Sequence, residues 1–215
     1  MGKTLVFMGD SITDCGHTSS NTDGSPNVGL GNGYPILIGA KLRGEQPKLD
    51  WSIYNRGISG NRIVDLYARW KRDTLNLNPD IISILIGVND VWHEKSHQNG
   101  VETPRFEMFY KMLLDWTLEK LPNVKLILLE PFVLEFGAVQ GKDWIDEVAE
   151  KAAVTRKMAK KYNTAFVPLQ GILNKATKLA PQEYWLRDGV HPTLAGHQLI
   201  ANAWFKEATK IGIKL

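Results

Sequence analysis

Residues 81 to 86 read Ile81-Ile82-Ser83-Ile84-Leu85-Ile86, between Pro79-Asp80 and Gly87-Val88-Asn89-Asp90. The run is too short for a buried helix and is rich in β-branched side chains. It also lacks the apolar-polar alternation of a strand with one wet face. Such a segment reads as a central strand covered on both faces, which is the situation of a parallel sheet sandwiched between helices. The rest of the chain fits that frame. Leu5 to Met8, Trp51 to Asn55, Val124 to Leu129 and Thr164 to Leu169 read as four further strands. Helical spacing predicts helices over Tyr34 to Leu42, Ile63 to Asp73, Asp143 to Tyr162 and Gly171 to Leu179. Two more are expected, one from a Thr103 cap with Pro104 at its first position and one after Thr193. Asp143 is expected to cap its own helix. Strands alternating with helices predict an α/β fold with five parallel strands.

Composition narrows the classes. The chain has 215 residues, enough for one α/β domain spanning 1–215 with a full core. A net charge of +3 from scattered Lys and Arg gives no reason to expect nucleic acid. No stretch has the apolar length of a membrane span. The single cysteine, Cys15, excludes an internal disulfide and reads as a small packing residue. With only a four-residue apolar run near the N-terminus, too short for a signal peptide, the expected location is cytoplasmic.

Chemistry gathers at the predicted strand ends. The first strand stops at Gly9-Asp10-Ser11, which puts a serine where open α/β sheets bind ligands. Taken alone, Ser11 is only a helix cap. Right-handed crossovers bring every strand C-terminus to one edge, so Gly60, Asn89 and the Asp188-Gly189-Val190-His191 turn belong beside it. Each has its own plain role, as a turn glycine, a turn cap and a solvated loop. Together they supply a nucleophile (Ser11), a general base (His191) and a carboxylate that orients it (Asp188). The Ser11 N–H, the Gly60 N–H and the Asn89 amide can form an oxyanion hole. This set requires no cofactor and no metal. His17, His97 and His197 are expected to lack such a carboxylate partner; His93 has Glu94 beside it, but neighbours in sequence generally point apart, so that pair is weak. His93-Glu94-Lys95-Ser96-His97 matches a zinc-protease pattern, but the segment is polar, lacks a third ligand and meets Gln98-Asn99-Gly100 at once, so no supporting helix is expected. Loops over 15–33 and 131–142 are expected on the ligand edge. Gly29-Leu30-Gly31-Asn32-Gly33 does not follow a strand and is discounted as a phosphate cradle.

Four of these blocks in order, Gly9-Asp10-Ser11-Ile12, Ile58-Ser59-Gly60-Asn61, Gly87-Val88-Asn89-Asp90 and Asp188-Gly189-Val190-His191, resemble those of the SGNH, or GDSL, hydrolase superfamily. The resemblance implies a three-layer α/β/α flavodoxin-like sandwich with a five-stranded parallel sheet. It places the catalytic roles on Ser11, Asp188 and His191 and the oxyanion hole on Ser11, Gly60 and Asn89. A narrower likeness lies in Thr13-Asp14-Cys15-Gly16, Ala68-Arg69-Trp70, Val91-Trp92, His191-Pro192 and Ala195-Gly196-His197, which are similar to intracellular bacterial acetylxylan esterases. That implies removal of acetyl groups from imported xylo-oligosaccharides by a homo-oligomer. The alternative within the superfamily is a lipase, acylhydrolase or thioesterase for another small ester. Trp92, Trp144 and Trp185 lie near the expected edge, either stacking on sugar rings or packing loops onto the core.

Overall fold

The computed structural model describes residues 2–17 and 25–213. The chain builds β1 (Thr4–Gly9), α1 (Ser11–Asp14), α2 (Tyr34–Glu45), β2 (Ser52–Gly57), α3 (Ile63–Asp73), β3 (Ile81–Leu85) and α4 (Val88–His97). It continues through α5 (Thr103–Lys120), β4 (Lys125–Leu129), α6 (Lys142–Lys161), β5 (Ala165–Val167), α7 (Leu169–Ala176), α8 (Gln182–Trp185) and α9 (Leu194–Ala208). The five strands form one all-parallel sheet in the order β2-β1-β3-β4-β5, the flavodoxin-like arrangement.

Alternating side chains divide the strands between two cores. Leu5 and Phe7 of β1, Ile81 and Leu85 of β3, and Ile127 and Leu129 of β4 face α2 and α9. Val6 and Met8, Ile82 and Ile84, and Leu126 and Leu128 face α3 and α5. Helices on both faces complete the three layers. Every residue of β3 is buried, as its continuous apolar run requires. Ser83, the polar residue in that run, accepts a 3.0 Å hydrogen bond from the indole N–H of buried Trp204.

Two expected caps are wrong. Glu102 caps α5, so Thr103 is its first residue and Pro104 its second. Gly141 caps α6, which starts one residue before Asp143. Each side chain is drawn off sideways by a tertiary partner. The Thr103 hydroxyl donates to Glu150 and accepts from Lys151, and Asp143 pairs with Lys95 of α4. The last short helix, expected over Gly171 to Leu179, starts two residues earlier and ends at Ala176. Residues 18–24 of the expected 15–33 loop lie outside the described residues.

The histidine-pair segment also needs correcting. It is helical, because α4 runs through His97 and closes on a left-handed Gln98 whose N–H returns to Glu94. Its buried first turn, Val88 to Val91, docks it to the core and supplies the apolar face that the polar stretch lacks. The His93 and His97 rings stand 6.0 Å apart, and the described residues contain no group of three His, Cys, Asp or Glu placed to hold a metal ion. Among the described residues, no helix is long and apolar enough to cross a membrane.

Candidate active site

The strand order reverses at β1: the chain leaves it for β2 on one side and returns to β3 on the other. Ligands of open α/β sheets bind in the crevice that this reversal opens. Ser11 follows β1 and Asn89 follows β3, so both stand at that crevice. The Asp10 carboxylate accepts the Ile12 N–H at 2.9 Å and starts α1, of which Ser11 is the first residue. The Ser11 N–H therefore has no acceptor within the helix.

The turn after β2 is tied to this corner. Ile58 N–H donates to the Gly9 carbonyl at 3.1 Å, and the Ser59 N–H and hydroxyl donate to Asp14 at 3.0 and 2.6 Å. The other Asp14 oxygen meets His17 Nδ1 at 2.7 Å. His17 thus does have a carboxylate partner, contrary to expectation, but the pair pins the Ser59 turn rather than reaching Ser11. The partly buried Asp14 is held below the usual carboxylate range, its burial outweighed by these hydrogen bonds. At the tip of the turn Gly60 adopts φ +83°, a conformation that favours glycine, and its N–H donates to no described residue. The Asn89 carboxamide donates to the Asn61 carbonyl at 3.2 Å, which sets it against this turn with its second N–H to spare.

The turn before α9 supplies the remaining groups. Arg187 N–H donates to the His191 carbonyl at 2.8 Å, and Leu186 bridges Pro192, so residues 188–190 form a closed loop. One Asp188 oxygen accepts the Val190 and His191 N–H groups at 3.0 and 2.8 Å. The other meets His191 Nδ1 at 2.7 Å, and His191 Nε2 lies 2.9 Å from Ser11 Oγ. Burial raises the Asp188 pKa, but the His191 N–H, its imidazole and the Val190 N–H more than offset this and hold the carboxyl below its ordinary value. An ionised Asp188 keeps the proton on Nδ1, which leaves the Nε2 lone pair for the serine hydroxyl. About a third of each of these two side chains remains exposed, so a substrate can reach them.

The 131–142 loop clasps this turn. Leu134 N–H donates to the Gly189 carbonyl and Ala138 N–H to the Asp188 carbonyl, both at 2.9 Å. Gly189 sits at φ +91°, and a Cβ there would lie 2.5 Å from the Phe136 carbonyl oxygen. Trp92 stands 5.8 Å from the His191 ring and packs edge-on against buried Trp144 at 5.5 Å. Trp185 is half-buried and donates to the Ala180 carbonyl. Of the three tryptophans, Trp92 therefore stands against the His191 ring, and Trp144 backs it.

A family model described as GDSL-like lipase/acylhydrolase matches residues 7–199. The chain belongs to that family. It is 36% identical to an acetylxylan esterase of Geobacillus stearothermophilus over 96% of this chain and 94% of that protein. In structure it resembles that esterase with a TM-score of 0.86 and 33% identity in superposition, covering 99% of this chain and 95% of the other. A GDSL-like lipase from Parabacteroides merdae superimposes with a TM-score of 0.91 at 41% identity, covering 97% of each chain. The chain is a carboxylic ester hydrolase of this family, with its α/β fold.

Several residues beside the site were given no part in it from the sequence. Asp10 and Asp90 are almost fully buried and their pKa values are pushed up to about 7, chiefly by loss of solvent. Asp90 accepts the Ile63 N–H at the start of α3, while one Asp10 oxygen has no partner among the described residues. Cys15 adopts a left-handed backbone, and its thiol meets His197 Nε2 at 3.3 Å. Since His197 Nδ1 accepts the Tyr34 N–H, Nε2 is the protonated nitrogen. Burial, helped by the nearby Arg187 charge, lowers the His197 pKa to about 4 and keeps the ring neutral. Ser11, Cys15, Asn32, Arg187, His191 and His197 line a cavity of about 310 Å³. A larger one, about 760 Å³, opens at the opposite edge among Lys3, Trp51, Asp80 and Lys125, where the strands begin and none of this chemistry reaches.

Proposed function

We propose that the chain is a serine acetylesterase acting through Ser11, His191 and Asp188. His191 Nε2 takes the Ser11 proton as Oγ attacks the ester carbonyl carbon. Negative charge collects on the carbonyl oxygen, where the Ser11 N–H, the Gly60 N–H and the Asn89 amide donate to it. Collapse breaks the C–O bond to the alcohol, which leaves with the proton from His191, and Ser11 stays acetylated. Water, deprotonated by the same imidazole, then attacks the acetyl carbon and releases acetate. Asp188 holds the imidazole and stabilises it when charged. The observation that carries this reading is the unbroken chain from Ser11 Oγ through His191 to Asp188, at 2.9 and 2.7 Å, in the switch-point crevice.

The proposed substrate is an acetylated xylo-oligosaccharide. Support comes from the acetylxylan esterase relative. Trp92 is positioned to stack on a sugar ring next to His191. In this reading residues 1–215 act as a single domain within a cytoplasmic homo-oligomer.

A panel of nitrophenyl esters tests the acyl preference. A fatty-acyl enzyme gains about 0.8 kcal/mol, or roughly fourfold, for each methylene it buries. Here kcat/KM should fall from acetyl to butyryl to octanoyl, and acetylated xylo-oligosaccharide should release acetate. The Ser11→Ala variant should stay folded and lose nearly all of this turnover. A rate that rises with chain length, with no acetate from the sugar, favours the lipase or thioesterase alternative.

A further inference from the structure

An exposed cation that no described residue neutralises borders the cavity at Ser11. Arg187 lines it, yet its guanidinium makes no hydrogen bond, ion pair or ring contact with any described residue. The neighbouring site arginines are occupied. Arg62 binds Asp65 and Asn99, and Arg69 binds Asp73 and Asn61. The Asn32 carboxamide lines the same cavity and has no described partner either.

The Arg187 backbone is held in place. Its N–H binds the His191 carbonyl and its neighbour Leu186 bridges Pro192, so its Cα is fixed to the turn that carries the His191 imidazole. No carboxylate belongs to the described residues lining the cavity. The adjacent Asp188 is engaged by the Val190 N–H, the His191 N–H and the imidazole. His197 is neutral, with its nitrogens turned to Tyr34 and Cys15. Among the described lining residues, what remains is one positive charge carried on a planar fork of donors, with an amide lining the same cavity. A planar fork matches the two oxygens of a carboxylate, or two of a phosphate, through parallel N–H···O bonds. A neutral xylose ring has no use for that charge.

We propose that Arg187, assisted by Asn32, binds an anionic group on the alcohol half of the ester, the carboxylate of an acidic sugar, and directs the enzyme toward acetylated acidic oligosaccharides. This rests on the serine-esterase reading above and narrows its substrate.

The test uses three acetyl esters of para-substituted phenols: para-acetoxybenzoate, its neutral methyl ester, and para-acetoxyphenyl phosphate. The kcat/KM ratio of each anion to the neutral ester is measured in wild type, Arg187→Met and Arg187→Lys. Comparing ratios between proteins cancels the intrinsic reactivity of the leaving groups. The carboxylate ratio should fall about three- to tenfold in Arg187→Met, as expected for a partly solvated charge-assisted contact, and recover in part in Arg187→Lys. In wild type it should also shrink as salt is raised. An unchanged carboxylate ratio, or equal losses on the carboxylate and neutral esters, overturns the proposal. A fall confined to the phosphate ester overturns the acidic-sugar assignment in favour of a phosphorylated one. Hydrolysis of the methyl ester through Ser11 with an unchanged ratio refutes only the Arg187 role. Absence of Ser11-dependent hydrolysis of any of the esters refutes the esterase reading itself.

Discussion

Replacing Asp188 by Asn changes one group and leaves the turn around it almost intact. One Asp188 oxygen accepts two backbone N–H groups, from Val190 and His191, at 3.0 and 2.8 Å. The carboxamide in the Asp188→Asn variant must keep its oxygen there, because its NH₂ would face two donors. The NH₂ is therefore forced toward His191 Nδ1, where the wild-type carboxylate stands at 2.7 Å. An N–H donor at that position selects the imidazole tautomer with its lone pair on Nδ1 and its proton on Nε2. Nε2–H then points at Ser11 Oγ, and no base remains for the hydroxyl proton. Loss of the correct tautomer costs about 10⁴ in kcat in a comparable triad, or roughly 5.5 kcal/mol. Because about a third of Asp188 is exposed, water can hold a minority of rings in the productive form, so about 10³ to 10⁴ is expected. The assay is kcat on an acetyl nitrophenyl ester at neutral pH, with urea denaturation alongside. The two backbone hydrogen bonds survive, so the urea midpoint should stay near wild type. A folded variant that loses less than tenfold in kcat would refute the triad.

Asn89→Ala removes one proposed oxyanion donor and should lower kcat by about 100- to 1,000-fold with little change in KM; an effect confined to KM would make Asn89 a substrate-positioning residue instead. Asp10 and Asp90 are protonated in the folded chain up to about pH 7, whereas the unfolded chain releases those protons near the ordinary value of 3.8. Stability should therefore fall as pH rises through that window, and Asp10→Asn should reduce the fall by at most roughly 4 kcal/mol in urea titrations at a series of pH values. An undiminished fall would mean that Asp10 ionises normally. Dialysis against a strong chelator, or changing His93 and His97 together to Ala, should leave the esterase rate unchanged. A loss restored by added metal would make that pair a working site.

The candidate site could be read in the sequence because each of its residues sits at a strand end or in a local turn. Ser11 follows the β1 run directly, Asn89 follows the β3 run, and Asp188 and His191 are three residues apart, within reach of one turn. The cap errors at Thr103 and Asp143 have the opposite origin. Both residues fit the local rule, but Lys151, Glu150 and Lys95, remote in sequence, take their side chains. The helix through His97 escapes a local reading for the same reason, since its support is the buried turn at Val88 to Val91 rather than its own polar face.

What the sequence determined by itself was the order of strands and helices, the parallel sheet and the candidate residues for acyl transfer. These follow from apolar run length, periodicity and turn chemistry, all of which act over a few residues. Tertiary structure alone decided the partners of residues far apart in the chain. Folding brought His191 within 2.9 Å of Ser11, 180 residues away. It set Ser83, a lone hydroxyl in an apolar strand, under the Trp204 indole. It also buried the Asp10 and Asp90 carboxylates, closed the 131–142 loop over the Asp188 turn, and left Arg187 facing the cavity without a described partner. Hydrogen bonds and desolvation depend on which groups meet within a few ångströms, and separation along the chain carries no record of that.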